Sequence, residues 1–280
     1  HAADAFLGIE DKVTYRDAEE EDAVVDEHPT VFFLLLNGFR VTDTTRANCV
    51  WYMNRYHASL YIAGAAAAAQ ATTCIGFHTA FPAFFAGFEL GVRSVNPTIP
   101  IHVIEVGTWT WPEAETDIAD RYLEMGCEVI GHHSNSRDTD LHVKKKTNGK
   151  VMTAGVHSDL QRYVGDSVLM ASYMHWDNFL VPQIISVFNT GSFDATSYDK
   201  FRNVFVRGDG TDVVVTTDVS PLAKPAARAA ALTAAAFVDK PGHSVFCGAL
   251  KYIDGTTIDH DAGTLGNNCL APRKLPSTYL

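Results

Sequence analysis

Two tryptophans, Trp109 and Trp111, stand two residues apart in the motif GTWTWP, directly after an apolar run. In an extended chain, side chains two residues apart point the same way, so this pair could form one wall of an aromatic slot. A tryptophan face binds a planar ring at small entropic cost, and the motif therefore favours stacking of Trp109 on a flat ligand. The alternative is that one or both tryptophans cover the end of the following helix.

Further polar and aromatic side chains follow two later apolar runs. His157, Ser158 and Asp159 come after one of them, and the Asp159 carboxylate could accept hydrogen bonds from ring N–H or hydroxyl groups of a ligand. Alternatively, Asp159 caps the next turn of the chain. Tyr173 and Trp176 follow the other run, and core packing is the alternative for Trp176. These groups indicate a binding site more than a reaction centre.

Motifs for the common catalytic chemistries are missing from the sequence. There is no GxSxG elbow, phosphate-binding P-loop, GxGxxG turn or HExxH zinc motif. His132 and His133 are adjacent, so on a strand they would face opposite ways and share a metal poorly. We therefore expect no cofactor and no metal. The enzyme alternative is a nucleoside-processing hydrolase with His157 and Asp159 as acid and base, but no nucleophile accompanies that pair.

Alternating strands and helices position these side chains. Apolar runs predict strands at 31–36, 48–53, 73–78, 99–106, 127–130, 151–155, 167–171, 201–206 and 212–217. Helical patterns cover 57–70, 82–93, 112–126, 176–188 and 222–238, and a hairpin is predicted within 244–258. This rhythm predicts parallel sheets flanked by helices, and the number of strands favours two sheets. The carboxyl ends of parallel strands form the ligand edge of such a fold.

Composition narrows the function classes. The 280 residues carry a net charge of −11, which argues against nucleic acid because phosphate binding needs clustered Lys and Arg. The basic run from Lys144 to Lys146 is interpreted as a solvated helix end. No stretch reaches the roughly 18 consecutive apolar residues of a membrane span. The chain starts at His1 without a signal-peptide pattern, and we expect it to be processed or trimmed.

The five cysteines form no metal-binding pattern, because none of them stands in a C-x-x-C pair. Cys74 and Cys127 lie in apolar strand patterns and are predicted to be buried thiols. Cys247 and Cys269 flank the predicted hairpin and could form a disulfide in an oxidising compartment. An odd number leaves at least one thiol outside any disulfide of a monomer.

A series of short motifs runs in a specific order from about residue 28 to residue 248. Its members are 48–55 with YIAG at 61–64, IGF at 75–77 with AFP at 80–82, LGVRSVNP at 90–97, Trp109 with Pro112, HSNS at 133–136, GVHSD at 155–159 and VFCG at 245–248. In this order and spacing they resemble the basic membrane protein family, the PnrA-like purine nucleoside-binding substrate-binding proteins of ABC transporters.

The resemblance implies a two-lobed, periplasmic-binding-protein-like (type I) α/β fold with a hinge between the lobes. Lobe 1 would comprise residues 1–71 and a return at 172–240, lobe 2 residues 72–171, and a hairpin and tail residues 241–280. It implies a purine base or nucleoside as ligand, and the subgroup pattern favours a free base. The ligand-binding residues expected from the resemblance and the loops are Trp109, Asp159, His133, Trp176, Phe81, His157, Arg55 and Tyr173.

The same resemblance implies a partner and a location. The ligand would be passed to an ABC transporter permease, and the protein would be periplasmic or extracellular, with a lipid anchor as one option. Membrane contact would then come only from that anchor or from the permease. The alternative is a sensor domain in which the same fold reports to a receptor or regulator, since the sequence contains no motif for the partner surface.

Overall fold

The computed structural model describes residues 18–36, 47–52, 56–80, 82–174, 177–194, 214–238 and 245. In chain order the elements are α1 (Ala18–Glu27), β1 (Phe33–Leu36), β2 (Cys49–Tyr52), α2 (Tyr56–Gln70), β3 (Ile75–Thr79), α3 (Pro82–Val95), β4 (Ile101–Glu105), α4 (Pro112–Glu124), β5 (Val129–His133), α5 (Asp138–Thr147), β6 (Met152–Gly155), α6 (Leu160–Val164), β7 (Val168–Met174), α7 (Asp177–Thr190), β8 (Val214–Thr216) and α8 (Pro225–Val238). The chain divides into two compact units, residues 1–55 with 175–214 and residues 56–174 with 215–280.

The smaller unit contains a parallel pair of strands, β1 and β2, in which Phe33 stands opposite Cys49. The Asn48 side chain donates a hydrogen bond to the Val31 carbonyl at 3.0 Å, which fastens the start of β2 to the chain ahead of β1. Phe32 and Phe193 pack edge to face with ring centroids 5.3 Å apart. Short apolar strands with an aromatic pair give this unit its own core.

The larger unit is built on a six-stranded sheet in the order β4-β3-β5-β6-β7-β8. β3 pairs in parallel with β4 and β5, and the parallel ladder continues through β6 to β7. Every residue of β3, β5 and β6 is buried, as expected of parallel strands covered on both faces. The α/β class predicted from the sequence is confirmed, and the carboxyl ends of these strands share one edge.

Glycines let the helices α2 and α3 pack closely against each other beside this sheet. A Cβ at Gly64 would lie 2.0 Å from the Phe88 carbonyl oxygen, and one at Gly91 would lie 2.0 Å from the Tyr61 carbonyl oxygen. Any side chain at either position would therefore overlap backbone atoms of the neighbouring helix. The alanines of α2 and α8 serve the same close packing, and most of the buried apolar cluster lies here.

α4 contributes a large buried ring to a second apolar cluster. Tyr122 is fully buried, and its hydroxyl donates a 2.6 Å hydrogen bond to the Phe77 carbonyl. Gly76 makes room for this ring, because a Cβ there would lie 2.4 Å from its Cγ. Burial raises the pKa of the Tyr122 hydroxyl, so it stays a neutral donor.

The prediction that Cys74 and Cys127 are thiols is wrong, although both are buried as expected. They form a disulfide with a Cα–Cα distance of 4.6 Å. The reason is the strand order: Ile75 and Val129 stand opposite each other in β3 and β5, so the residues just before them meet at the amino edge. The proposed pairing of Cys247 with Cys269 lies outside the described residues.

The predicted elements match the structure closely, with informative exceptions. The residues after 130 were expected in a loop, but β5 continues to His133, whose carbonyl also accepts a hydrogen bond from the Ala80 N–H. The helices α1 and α6 were not predicted, and α5 was predicted only through its basic end. Lys144 to Lys146 form the exposed last turn of α5, which confirms the interpretation of that basic run. The predicted strand at 201–206 and the hairpin within 244–258 lie outside the described residues.

Candidate ligand-binding site

Four rings meet at the carboxyl edge of the six-stranded sheet. The Trp109 ring lies 5.5 Å from the His133 ring and 6.4 Å from the His157 ring, measured between centroids. The two imidazoles are 4.8 Å apart, and Tyr56 packs edge to face against both of them. We call these four side chains the aromatic cluster. Trp109 and His157 lie in loops after β4 and β6, His133 ends β5, and Tyr56 begins α2.

His157 has two unusual properties. Its φ angle is 72°, in the left-handed region that few residues other than glycine adopt. Its Nε2 atom is buried and has no hydrogen-bond partner among the described residues. Burial, with a smaller contribution from the charge on His132, lowers its pKa to about 4. A neutral imidazole can donate or accept, so this nitrogen can suit either kind of ligand group.

Two of the histidines at this edge, His133 and His78, are neutral near pH 7. Burial lowers the pKa of His133 well below its usual value, and the nearby His157 and His132 lower it further. Burial also lowers the pKa of His78, whose Nε2 lies 3.2 Å from the Thr139 hydroxyl. A wall of uncharged rings suits an uncharged, flat ligand better than an ion.

Asp159 has a structural role. Its Oδ1 accepts a 3.2 Å hydrogen bond from the Arg162 N–H, and it is the N-cap of α6. The capping alternative considered from the sequence is therefore correct, and a ligand role for Asp159 stays a prediction. Asp159 and Tyr173 also line one shallow, open depression of about 330 Å³. Its remaining lining residues are Gln161, Arg162, Thr216, Thr217 and Asp218.

The two tryptophans of the GTWTWP motif have different surroundings. Trp109 joins the aromatic cluster, whereas the Trp111 side chain is 52% exposed and Trp111 is the N-cap of α4. The predicted residues Arg55, Phe81 and Trp176 lie outside the described residues, so their ligand roles stay predictions.

Tyr56 is a site residue that the sequence reasoning missed. It precedes the predicted start of α2 by one residue, and its hydroxyl lies 3.2 Å from the Met174 sulfur. The available signal was a phenol followed by an imidazole, Tyr56 and His57, at the start of an otherwise alanine-rich helix. Such polar aromatic residues at a helix start, close to a strand edge, deserve weight in similar sequences.

One group of metal-capable atoms occurs in the described part of the chain. The ligand atoms of Cys74, His102 and Cys127 lie within 4.8 Å of one another. Metals bind cysteine as the thiolate, and both sulfurs here are joined in the disulfide. This group lies at the amino edge of the sheet and is separate from the aromatic cluster.

Comparison with known protein families gives a match over most of the chain. The model of PnrA-like ABC transporter substrate-binding proteins matches residues 13–201. The chain belongs to this family. The resemblance inferred from the motifs is thus confirmed, and a small-molecule ligand with a transporter partner is the family's function. Within the described ranges, no helix of this PnrA-like protein has both the length and the apolar character of a membrane span.

Two curated relatives of this PnrA-like protein carry different ligand names. A putative ABC transporter glucose-binding protein of Haloferax volcanii is 28% identical over 182 residues, which cover 63% of this chain and 44% of the relative. A purine-binding protein of Brucella abortus is 25% identical over 170 residues, covering 59% of this chain and 47% of the relative. The chain thus spans less than half the length of either relative.

A solved structure supports the fold alone. The crystal structure of a transcriptional activator of the comK gene from Bacillus halodurans aligns with a TM-score of 0.64 at 20% identity. The alignment covers 81% of this chain and 76% of that structure. The same architecture therefore occurs in a protein named for a different role.

Proposed function

We propose that this PnrA-like protein binds a purine-type base or nucleoside at the aromatic cluster and delivers it to an ABC transporter permease. Binding would take place in the periplasm or outside the cell, with or without a lipid anchor. The family supports the transport role, and the aromatic cluster carries the ligand class. Trp109 is the proposed stacking face, since it is partly exposed beside His133 and His157.

The chemistry of the cluster favours a flat heterocycle. A purine ring presents hydrogen-bond donors and acceptors at its edge, and the neutral His157 imidazole can pair with either. Its buried Nε2 has no partner in the described structure, and a ligand that supplied one would remove that penalty. The purine name of the Brucella abortus relative points the same way.

Glucose is the competing ligand, because the Haloferax volcanii relative is named a glucose-binding protein. A hexose also packs against aromatic faces, but its hydroxyls need several hydrogen-bonding groups around it. The described aromatic cluster offers few such groups, whereas the depression at Asp159 is rich in them. If the protein prefers a purine, we therefore expect the ligand at Trp109. If it prefers glucose, we expect the ligand at the depression.

The experiment is a thermal-shift panel of adenine, hypoxanthine, guanine, adenosine and glucose, followed by calorimetry. A ligand at 100 times its Kd should add about 2.7 kcal/mol of stability. Trp109→Ala should weaken purine binding by about 1–3 kcal/mol, the usual contribution of base–aromatic stacking. Trp111→Ala is the matched control, because its ring is exposed and should leave the affinity unchanged.

The outcomes separate the hypotheses. If every purine leaves the melting curve unchanged, the purine proposal is wrong. If glucose alone shifts the curve, the transport role stands and the ligand class changes. If a purine binds and Trp109→Ala has no effect, the ligand lies elsewhere than the aromatic cluster.

A further inference from the structure

A chain of buried hydrogen bonds lies next to the aromatic cluster. His132 Nε2 is 2.9 Å from Asp140 Oδ2, and its Nδ1 is 3.2 Å from the Ser134 hydroxyl. Ser134 also donates to Glu115 Oε2 at 3.1 Å. All four side chains are essentially out of contact with water. We call this set, Asp140, His132, Ser134 and Glu115, the relay.

The relay holds a cation between two carboxylates. Burial alone lowers the pKa of His132, but Asp140 and Glu115 outweigh this and raise the pKa above its ordinary value. The Thr153 hydroxyl donates to the second oxygen of Asp140 at 2.5 Å, and Ser136 donates to Glu115. Buried charges are tolerated when they are paired and their remaining polar atoms are hydrogen-bonded. A positive His132 imidazole between these two hydrogen-bonded carboxylates meets that condition.

The other groups around His132 do not supply a second positive charge. His78 on β3 stacks on its ring with centroids 5.4 Å apart, and burial keeps that imidazole neutral. On β6, Gly155 leaves space for the ring, since a Cβ there would lie 2.4 Å from its Nε2. His133, the next residue of β5, and His157, in the loop after β6, are close enough for its charge to lower their pKa values, and both are neutral too. The proton of this region therefore resides on His132.

The relay is tied to the loop that carries the stacking tryptophan. Glu115 Oε1 accepts a 3.0 Å hydrogen bond from the Trp111 N–H at the start of α4. The Asn135 N–H, between the relay serine and Ser136, donates to the Trp109 carbonyl at 2.8 Å. The backbone of this loop is thus held at Trp111 by Glu115 of the relay and at Trp109 by Asn135, the residue after Ser134.

We propose that His132 is a positioning residue for ligand binding: its buried contacts with Asp140 and Ser134 hold Ser134 and Glu115 in place, and these fix the loop that presents the Trp109 ring. The ligand-binding part of this proposal rests on the proposed function. The positioning of the Trp109 loop does not depend on what the ligand is. His132 does not touch the ligand. His132 acts through Glu115 and Asn135. Loss of its charge should therefore make the Trp109 side chain more mobile without removing it.

The charge predicts the direction of a pH effect. A raised folded-state pKa means that the stabilising charge is fully present below 6.5 and is lost as the pH rises through the folded value. Above that pH, Asp140 and Glu115 are left buried without their cation. Ligand affinity should then fall on the alkaline side, where the already neutral His78, His133 and His157 no longer titrate.

The test compares His132→Gln with His142→Gln. Glutamine can hydrogen-bond to both Asp140 and Ser134 but carries no charge. His142 is the matched control, because it pairs with Asp120 at the surface at 2.7 Å. We expect His132→Gln to bind the best purine of the panel about tenfold more weakly near pH 6.5, with a flat profile above it. The control should keep the wild-type affinity and profile.

A second measurement needs neither a ligand nor a substitution that risks misfolding. In wild-type protein labelled with 5-fluorotryptophan, the ¹⁹F resonance assigned to Trp109 should shift as the pH rises through the titration of His132, while the Trp111 resonance stays in place. Histidine NMR should show His132 titrating above 6.5.

The outcomes distinguish this proposal from the proposed function. A stationary Trp109 resonance, or equal purine affinities in His132→Gln and wild type, overturns the positioning role. A Trp109 resonance that follows His132 without any purine binding supports the positioning role and counts against the purine proposal alone. Ser134→Ala should reproduce the looser Trp109 with His132 still charged, and an unchanged resonance in that variant would also contradict the proposal.

Discussion

The two edges of the six-stranded sheet are held together in different ways. At the amino edge, the Cys74–Cys127 disulfide joins the starts of β3 and β5 covalently. There the Glu128 carboxylate also accepts hydrogen bonds from the Thr72 hydroxyl, at 3.0 and 3.1 Å. At the carboxyl edge, the described residues show buried histidines, two carboxylates and a left-handed His157 instead of a disulfide.

The difference separates two kinds of stability. The amino edge depends on the redox state of one bond, and the carboxyl edge depends on the protonation of buried imidazoles. Groups that titrate or adopt uncommon backbone angles persist only where the surrounding structure holds them, and such groups concentrate at binding sites. The contrast therefore agrees with the proposed ligand site at the carboxyl edge, and three sets of variants test the two edges separately.

Removing the disulfide should have the largest effect. The paired residues are 53 apart in the chain, and closing a loop of that size stabilises the folded state by about 4 kcal/mol. The double substitution Cys74→Ser, Cys127→Ser should lower the free energy of unfolding by that amount in urea titrations. Dithiothreitol should destabilise the wild type and leave the variant unchanged. Equal stability of both proteins would mean that the amino edge is held by its hydrogen bonds instead.

Acid should destabilise the protein through the carboxyl edge of the sheet. Unfolded His157 takes up a proton near pH 6.5, but the folded side chain does so only near 4. Between these values the unfolded state binds more protons, so stability is lost as the pH falls. Protonation of His157 should lower the free energy of unfolding by about 3 kcal/mol over this pH range. His157→Asn, which tolerates the left-handed angle, should flatten this part of the pH profile in urea titrations at several pH values.

His28→Asn at an exposed position is the control for this substitution, and it should leave the free energy of unfolding close to that of the wild type. A His157→Asn profile that parallels the wild type would mean that other groups with lowered pKa values, such as His78 and His133, carry the acid sensitivity. The cysteine double variant should keep the full wild-type pH slope, since its change lies at the opposite edge.

The smallest effect concerns the cap of α6. Asp159→Ala should lower the free energy of unfolding by about 1 kcal/mol because the Arg162 N–H loses its side-chain acceptor and keeps only the Asp159 carbonyl. Asp159→Asn keeps an acceptor oxygen and should stay within a few tenths of the wild type. If the carboxylate also binds the ligand, both variants should bind more weakly in calorimetry. Unchanged affinity in Asp159→Asn would leave Asp159 with the cap alone.

Much of this fold follows from local patterns. The buried start of the parallel strand β7 is a run of consecutive apolar residues, Val-Leu-Met-Ala. Pro112 at the first turn of α4 and Gly126 after its end mark the limits of that helix. Trp109, His133 and His157 could be predicted as neighbours because each follows or ends a parallel strand, and such strand ends share an edge.

What could not be predicted depends on which strands are neighbours. Cys74 and Cys127 meet because β3 lies beside β5, and no local pattern contains the order β4-β3-β5-β6-β7-β8. His132 finds Asp140 only because α5 folds back over β5. From the sequence alone, His132 is half of a poor metal pair, and its carboxylate partners Asp140 and Glu115 lie outside the short motifs.

The disulfide also changes what limited proteolysis would report. A protease that cut once between Cys74 and Cys127 would leave two fragments joined through their sulfurs. Such a nicked molecule would migrate as an intact chain on a non-reducing gel and separate only after a reductant was added. Digestion mapping of this protein should therefore compare reduced with non-reduced samples, or cuts within β3, α3, β4 and α4 will go unseen.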